Sequence, residues 1–454
     1  MVHRLRAVQA CVAAVSVLSP AVDAFPTLDN FAKLIPRYTP GLDDSSAHFA
    51  KIQEELFKLR EKRLLFDPLT EPIDVTGEHA FVAPDLDAGD QRGPCPGLNA
   101  LANHNYIPHD GVVGFVDLID AMNTVYGMGI DLSTLLAIMG TVGVGNPLSP
   151  TPGFSIGGAP PDTNLLSSNI LGNVLGLLGK PRGLQGSHNW IEGDSSNTRD
   201  DLYVTGDAWT MNMTLFKMAY DGAEGDVITM EDLGNRAAAR FQESIEINPY
   251  FYYGPYTGLF ARNAGYAFSG RLLSNHSKEF PGGQLTKDVF KSFFAVTDNQ
   301  NGEMVYNAGH ERIPENWFRT PVDYGLASLN LDLVSWAQQH PELASVGGNT
   351  GGVNTFAGVD LDDVTGGLLD ATSLLEGNNL CCFALEVVKT FAPNALAPLF
   401  QALEVPLQMV SDAVVGPLLD LGCPAFQDLT MEGDDFFTGL STKYPGAKRS
   451  AFML

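Results

Sequence analysis

Two short runs contain residue types that do chemistry. The first is Pro94-Cys95-Pro96. A proline directly after Cys95 suits the first turn of a helix, where its missing N–H costs nothing. The Cys95 sulfur would then face the unpaired N–H groups and positive end of that helix, which favour a thiolate. A thiolate held by amide hydrogen bonds suits an axial metal or heme ligand. A purely structural cysteine at a helix start fits the same local pattern. The second run is Glu192-Gly193-Asp194-Ser195-Ser196. Glu192, Asp194 and Ser196 offer hard oxygen donors, and Gly193 leaves its carbonyl free to turn inward. That set could coordinate Mg²⁺ or Ca²⁺; an acidic, solvated turn has the same composition.

Helices must position both runs. Phe115, Leu118, Ile119, Met122, Val125 and Tyr126 share one helical face, and Leu132, Leu135, Leu136 and Met139 share another. Thr229 and Asp232 form a capping box with Asp in the usual Glu place. It opens a run with Met230, Leu233, Ala237, Phe241 and Ile245 inward, stopped at Asn248-Pro249. Gly/Pro/Ser segments at 145–163 and 344–358 read as long loops, and strand patterns are few and short. Residues 366–422 are apolar but interrupted by Asp370, Glu376, Glu386, Lys389, Glu404, Asp412 and Asp420, which predicts packed helices rather than a membrane span. The fold class is mainly α: one helical domain over 93–430 with long loops, an N-terminal extension over 25–92, and a C-terminal tail over 431–454. In the extension, Phe49, Ile52, Leu56 and Leu59 predict one helix. Residues 67–93, acidic and rich in Pro and Gly, read as a linker or a strap over the surface.

Composition limits the partners. The 454 residues carry 27 Lys plus Arg against 53 Asp plus Glu, a net charge of −26. Nucleic acid and anionic membrane surfaces need a basic footprint, so neither is expected as the main partner. The N-terminus has Arg4 and Arg6, an apolar run from Ala7 to Val22, and the small-residue exit Val22-Asp23-Ala24. This predicts a secretory signal peptide over 1–24 and a secreted, extracellular protein. The sequons at Asn212 and Asn275 are compatible with glycosylation on export. After Cys11 leaves with the signal, Cys95, Cys381, Cys382 and Cys423 remain. Adjacent Cys381 and Cys382 are poor partners for each other. Either one joined to Cys423 closes a loop of about 40 residues, for which chain entropy gives on the order of 4 kcal/mol.

Taken together, the two runs resemble the heme-thiolate peroxidase family, which includes chloroperoxidase and the unspecific peroxygenases. Pro94-Cys95-Pro96 continues into Gly-Leu-Asn-x-Leu-Ala-Asn-His-x-Tyr-Ile-Pro, and Glu192-Gly193-Asp194-x-Ser196 follows about a hundred residues later. Ser244-x-x-x-Asn248-Pro249-x-Phe251, Ile313-Pro314-x-x-x-Phe318-Arg319 and the late cysteines resemble further landmarks. The likeness covers roughly residues 90–430. It implies a heme-binding helical domain, with heme b ligated by Cys95 and Mg²⁺ held by Glu192, Ser196 and the Gly193 carbonyl together with Asp194. It also implies a disulfide from Cys381 or Cys382 to Cys423, hydrogen peroxide as oxidant, and a hydrophobic or aromatic small-molecule substrate.

The sequence departs from the family pattern at one point. The family also uses a distal carboxylate to move a proton between the peroxide oxygens, in a Gly-Glu-like context after the Asn-Pro landmark. Residues 248–277 contain neither Asp nor Glu. The place reads Arg262-Asn263-Ala264-Gly265-Tyr266, so Tyr266, Arg262, Asn263 with a water, or Glu243 from elsewhere are the candidates for that role. A heme or hydrophobic-ligand binding protein, or an enzyme for a redox-neutral step on a specialised metabolite, either one lacking efficient peroxide turnover, is the competing expectation. His104 and His109 read as packing residues. The cluster Tyr250, Tyr252, Tyr253 and Tyr256 reads as core or channel lining, and Met128 and Ile191 as borders of the distal pocket.

Overall fold

In a computed structural model of the chain, the described residues are 68–145, 152–160, 181–400 and 422–450. The leader 1–24, the sequence-based helix around Phe49 to Leu59, and part of the 145–163 loop lie outside them. Helices carry the fold, as the mainly α reading expects. The principal ones are α1 (Pro96–Asn103), α2 (Phe115–Tyr126), α3 (Ile130–Gly143), α4 (Met213–Gly222), α5 (Met230–Ile247), α6 (Asn263–Arg271), α7 (Lys287–Phe293), α8 (Leu326–Gln339), α9 (Asn379–Phe400), α10 (Phe436–Lys443) and α11 (Pro445–Ser450). Among these residues no helix is long and apolar enough to cross a membrane.

Local chemistry sets the helix ends. In α2 the six residues of the expected face are all buried, and Gly127 stops the helix in the left-handed conformation (φ 69°) that glycine adopts without strain. α3 follows directly and packs against α2 with Leu132, Leu135 and Met139 buried. At the start of α5, Asp232 N donates to Thr229 Oγ1 (3.1 Å) while Thr229 N donates to Asp232 Oδ2 (2.8 Å). Each cap satisfies a donor that the first turn would otherwise leave unpaired. α5 ends at Asn248, where Pro249 cannot continue it.

The strands form small antiparallel sheets. The largest joins Tyr252–Tyr253, Gly347–Asn349 and Phe356–Gly358, with Tyr252 opposite Gly348 and Gly348 opposite Ala357. Part of the expected 344–358 loop is therefore a hairpin. Its strands are built on glycine rather than on alternating apolar residues, so period-two patterning was absent. A Cβ at Gly347 would lie 2.2 Å from the Ala357 carbonyl oxygen, a distance that explains the glycine.

Both ends of the described chain pack onto this body. Ile73 is buried and its N–H donates to Trp317 O (2.9 Å), and His79 stacks on Tyr106 at 3.9 Å. Near the C-terminus, Cys382 is bonded to Cys423, while Cys381 is a free, buried thiol. α10 buries Phe436 and Leu440, α11 buries Ala447, and Tyr444 between them is buried as well.

Candidate active site

A cavity of about 270 Å³ opens where α1, α2, α6 and the 187–199 loop meet. Cys95, Glu192, Gly193, Ser196, Arg262 and Tyr266 all line it, so residues separated by up to 171 positions share one space. Most of the rest of the wall is apolar, including Met128 and Ile191.

Cys95 caps the start of α1 with an extended backbone (φ −93°, ψ 108°), and Pro96 occupies the first turn. Burial pushes its thiol up, while the Leu98 amide, the Arg199 guanidinium and the Gly97 amide favour the thiolate. The segment before it is clamped. Asn99 Oδ1 accepts from Gly93 N (2.9 Å) and Asn99 Nδ2 donates to Gly93 O (3.0 Å). Behind α1, Asn103 Nδ2 donates to Gly309 O and Glu311 O, and its Oδ1 accepts two bonds from the buried Arg92 guanidinium. On the cavity side, Tyr126 Oη donates to Gly97 O (2.8 Å). His104 bridges His79 O and Ile313 N, and His109 meets Ala102 O, which makes both packing residues.

The segment 187–199 supplies Glu192. The Trp190 indole donates to Met139 O (2.8 Å) and lies where a Cβ on Gly143 would come within 1.8 Å of it. That close approach docks the loop on α3. Glu192 Oε2 meets His188 Nδ1 at 2.6 Å, whereas Oε1 is buried without a partner. Burial opposes charge on His188, but Glu192 and Asp194 outweigh it and raise the imidazole to about 9. Asp194 faces away from the cavity: its Oδ2 accepts from Tyr252 N (3.3 Å), and burial with the neighbouring Asp201 holds its carboxyl well above the usual range. The next turn, with Ser195 at φ 60°, is gripped by arginines. Arg240 Nε donates to Ser196 O (3.0 Å) and its Nη2 pairs with the buried Asp201 (2.9 Å). Asp201 in turn accepts from Ser195 N and Asn248 Nδ2.

The third wall begins with a π-helical turn, Thr257–Arg262, that runs into α6. Such turns re-aim side chains and recur at functional sites. Arg262 donates to Ser195 O through Nε (3.0 Å) and Nη2 (2.8 Å), to Ala237 O (2.7 Å) and to Asn263 Oδ1 (2.9 Å). Tyr266 lies one turn on, with Arg262 over its ring at 4.6 Å, and its hydroxyl donates to Ser195 O (3.0 Å). Asn263 does not line the cavity: its amide bonds to Leu259 O and Leu343 O behind the helix. Glu243 is also absent from the wall and pairs with Arg240 at 3.0 Å. The four tyrosines from Tyr250 to Tyr256 do not line the cavity, and Tyr252, Tyr253 and Tyr256 are core. Among the described residues of the wall, Glu192 is the sole carboxylate. Asn197 and Arg199 also line it. They sit in the run containing Glu192, and their spacing after Ser196 was the available signal.

The family model for Peroxidase, family 2 matches residues 79–322. An aromatic peroxidase (fscJ) of Fusarium equiseti is 55% identical over 401 residues, covering 88% of this chain and 91% of that protein. A dothistromin biosynthesis peroxidase (dotB) of Dothistroma septosporum is 41% identical over 78% of this chain and 81% of its own. An aromatic peroxygenase of Cyclocybe aegerita is 26% identical over 73% and 81%. The chain belongs to this peroxidase family, the heme-thiolate peroxidases, and is an oxidoreductase of the peroxidase/peroxygenase type. Membership implies heme as cofactor and hydrogen peroxide as oxidant.

Proposed function

We propose that the protein is a secreted heme-thiolate enzyme that uses hydrogen peroxide to oxidise or oxygenate a small hydrophobic or aromatic molecule. One observation carries this reading: Cys95, at the N-terminus of α1, lines an apolar cavity together with Glu192, one of whose oxygens is buried without a partner. Heme bound there supplies one- and two-electron oxidation at the expense of peroxide. Cys95 would hold the heme iron through its sulfur, whose place the clamps on Gly93 and Gly97 fix. Glu192 Oε1, with Gly193 and Ser196 on the same wall, suits a divalent cation such as Mg²⁺. Among the described residues no three His, Cys, Asp or Glu side chains converge as a metal site, so a cation here would draw further oxygen donors from water or from the heme. Asp194 shapes the loop from behind.

The donors of Arg262 engage backbone carbonyls and Asn263, so it acts as a fixed cation on the wall and not as a base. Tyr266 is then the cavity group placed to hold or pass a proton, through its hydroxyl at Ser195 O. The apolar lining favours aromatic substrates, in keeping with the names of two relatives. For glycosylation, Asn275 is the better acceptor, since Asn212 Nδ2 is held by Asp200 at 3.0 and 3.1 Å.

The test is peroxide-dependent oxidation of a phenolic dye by the purified holoprotein, wild type against Cys95→Ala. Turnover by wild type alone is expected, and equal rates would remove Cys95 from the chemistry. The missing carboxylate beside Arg262 favours one second reading, a heme protein for a redox-neutral step, which a wild type inert toward peroxide would support.

A further inference from the structure

Two polar residues of the cavity wall have no ligand assigned to them so far. Asn197 is 7% exposed and lines the cavity, yet neither its Nδ2 nor its Oδ1 has a hydrogen-bond partner. A buried amide unpaired at both ends is rare in a finished structure and points to an absent ligand. Arg199 is 3% exposed and lines the same wall. Its Nη1 donates to Thr198 Oγ1 (2.7 Å) and its Nε reaches Trp209 O at 3.4 Å. Its guanidinium also lies over the Phe294 ring at 5.7 Å, and among the described residues it is paired with no carboxylate. Glu311, buried with an unpartnered Oε2, feels the Arg199 charge without pairing with it. A desolvated guanidinium facing a cavity is costly unless an anion completes it, and its planar donors match a carboxylate.

We infer that Asn197 and Arg199 form a carboxylate-binding subsite that takes the second carboxylate of the porphyrin. The inference rests on the heme reading above. Heme b carries two carboxylates on one edge of the ring, and the wall presents two consecutive sets of partners along one chain segment. Glu192, Gly193 and Ser196 serve the first carboxylate through the cation. Asn197 and Arg199 follow immediately and serve the second directly, the arginine by charge and the amide through Nδ2. The subsite also places a fixed positive charge where it favours the Cys95 thiolate.

The experiment times loss of pigment from the holoprotein to excess apomyoglobin, with the protein loaded either with heme or with heme dimethyl ester, which has no free carboxylates. Wild type, Arg199→Gln, Arg199→Lys and Asn197→Ala are compared. Arg199→Gln should speed heme loss roughly tenfold to a hundredfold, the range of a lost charge-assisted hydrogen bond. Arg199→Lys should restore part of the retention, and Asn197→Ala should speed loss by about threefold to tenfold. Loss of the ester should be the same in all four. Unchanged heme loss in Arg199→Gln overturns the subsite. So does equal acceleration for heme and ester, which would make Arg199 a structural residue or a partner for substrate. A wild type that holds heme through Cys95 while failing these tests refutes the subsite alone, whereas one that holds no heme refutes the heme reading as well.

Discussion

The segment around Cys95 and the segment from Thr257 to Arg271 border the same cavity but are built in different ways. Around Cys95, Asn99 holds Gly93, Tyr126 holds Gly97, and Asn103 ties α1 to Gly309 and Glu311. Nearly every polar group there has a partner that fixes the sulfur. Across the π-helical turn, Arg262 is equally well bonded, but its partners are the Ser195 carbonyl in a neighbouring loop, the Ala237 carbonyl in α5 and the Asn263 side chain. Among the described residues no carboxylate stands beside it, and Gly265 leaves open space where a side chain would fit. The contrast indicates that the half that would hold a cofactor is specified tightly, while the half that would move protons has a different chemistry.

The largest effect should come from breaking the first half. Cys95→Ala should reduce peroxide-dependent dye oxidation to the level of free hemin, and activity retained above that level would mean another ligand. Next, Gly265→Glu places a carboxylate one turn from Arg262 with nothing within 4 Å of its Cβ. If proton transfer limits turnover, steady-state assays should show a gain of about 10²–10⁴-fold. An unchanged rate would show that Tyr266 or another group already suffices, which would sharpen the contrast rather than remove it. Arg262→Gln withdraws buried charged donors from Ser195 O and Ala237 O and should cost about 1.5–3 kcal/mol per lost bond, read by thermal or denaturant unfolding. The smallest effect belongs to a site remote from both halves. Thr229→Ala removes the α5 cap and should cost about 1 kcal/mol in unfolding, with heme retention unchanged.

The legible parts of the fold were those set by near neighbours in sequence. Thr229 and Asp232 announce α5, Pro249 ends it, and Pro96 places Cys95 at a helix start. Orientation was harder to read. Asp194 and Ser196 lie two residues apart, but the left-handed turn at Ser195 sends one behind the loop and leaves the other on the cavity. Asn263 adjoins Arg262 and bonds to it, yet its amide turns to Leu259 O and Leu343 O rather than to the cavity. The choice between Cys381 and Cys382 depended on which face of α9 meets Cys423, a tertiary fact that spacing does not encode. Asn197 and Arg199 stood in plain view, but their missing partners become visible only once the cavity exists.

The most direct measurement of the central claim is the absorption spectrum of the purified protein, reduced with dithionite and exposed to carbon monoxide. Ligation by Cys95 predicts a Soret band at the long wavelength characteristic of thiolate-bound heme, lost in Cys95→Ala. A colourless protein that refuses hemin, or a band at the position of a histidine-ligated heme unchanged by Cys95→Ala, would contradict it.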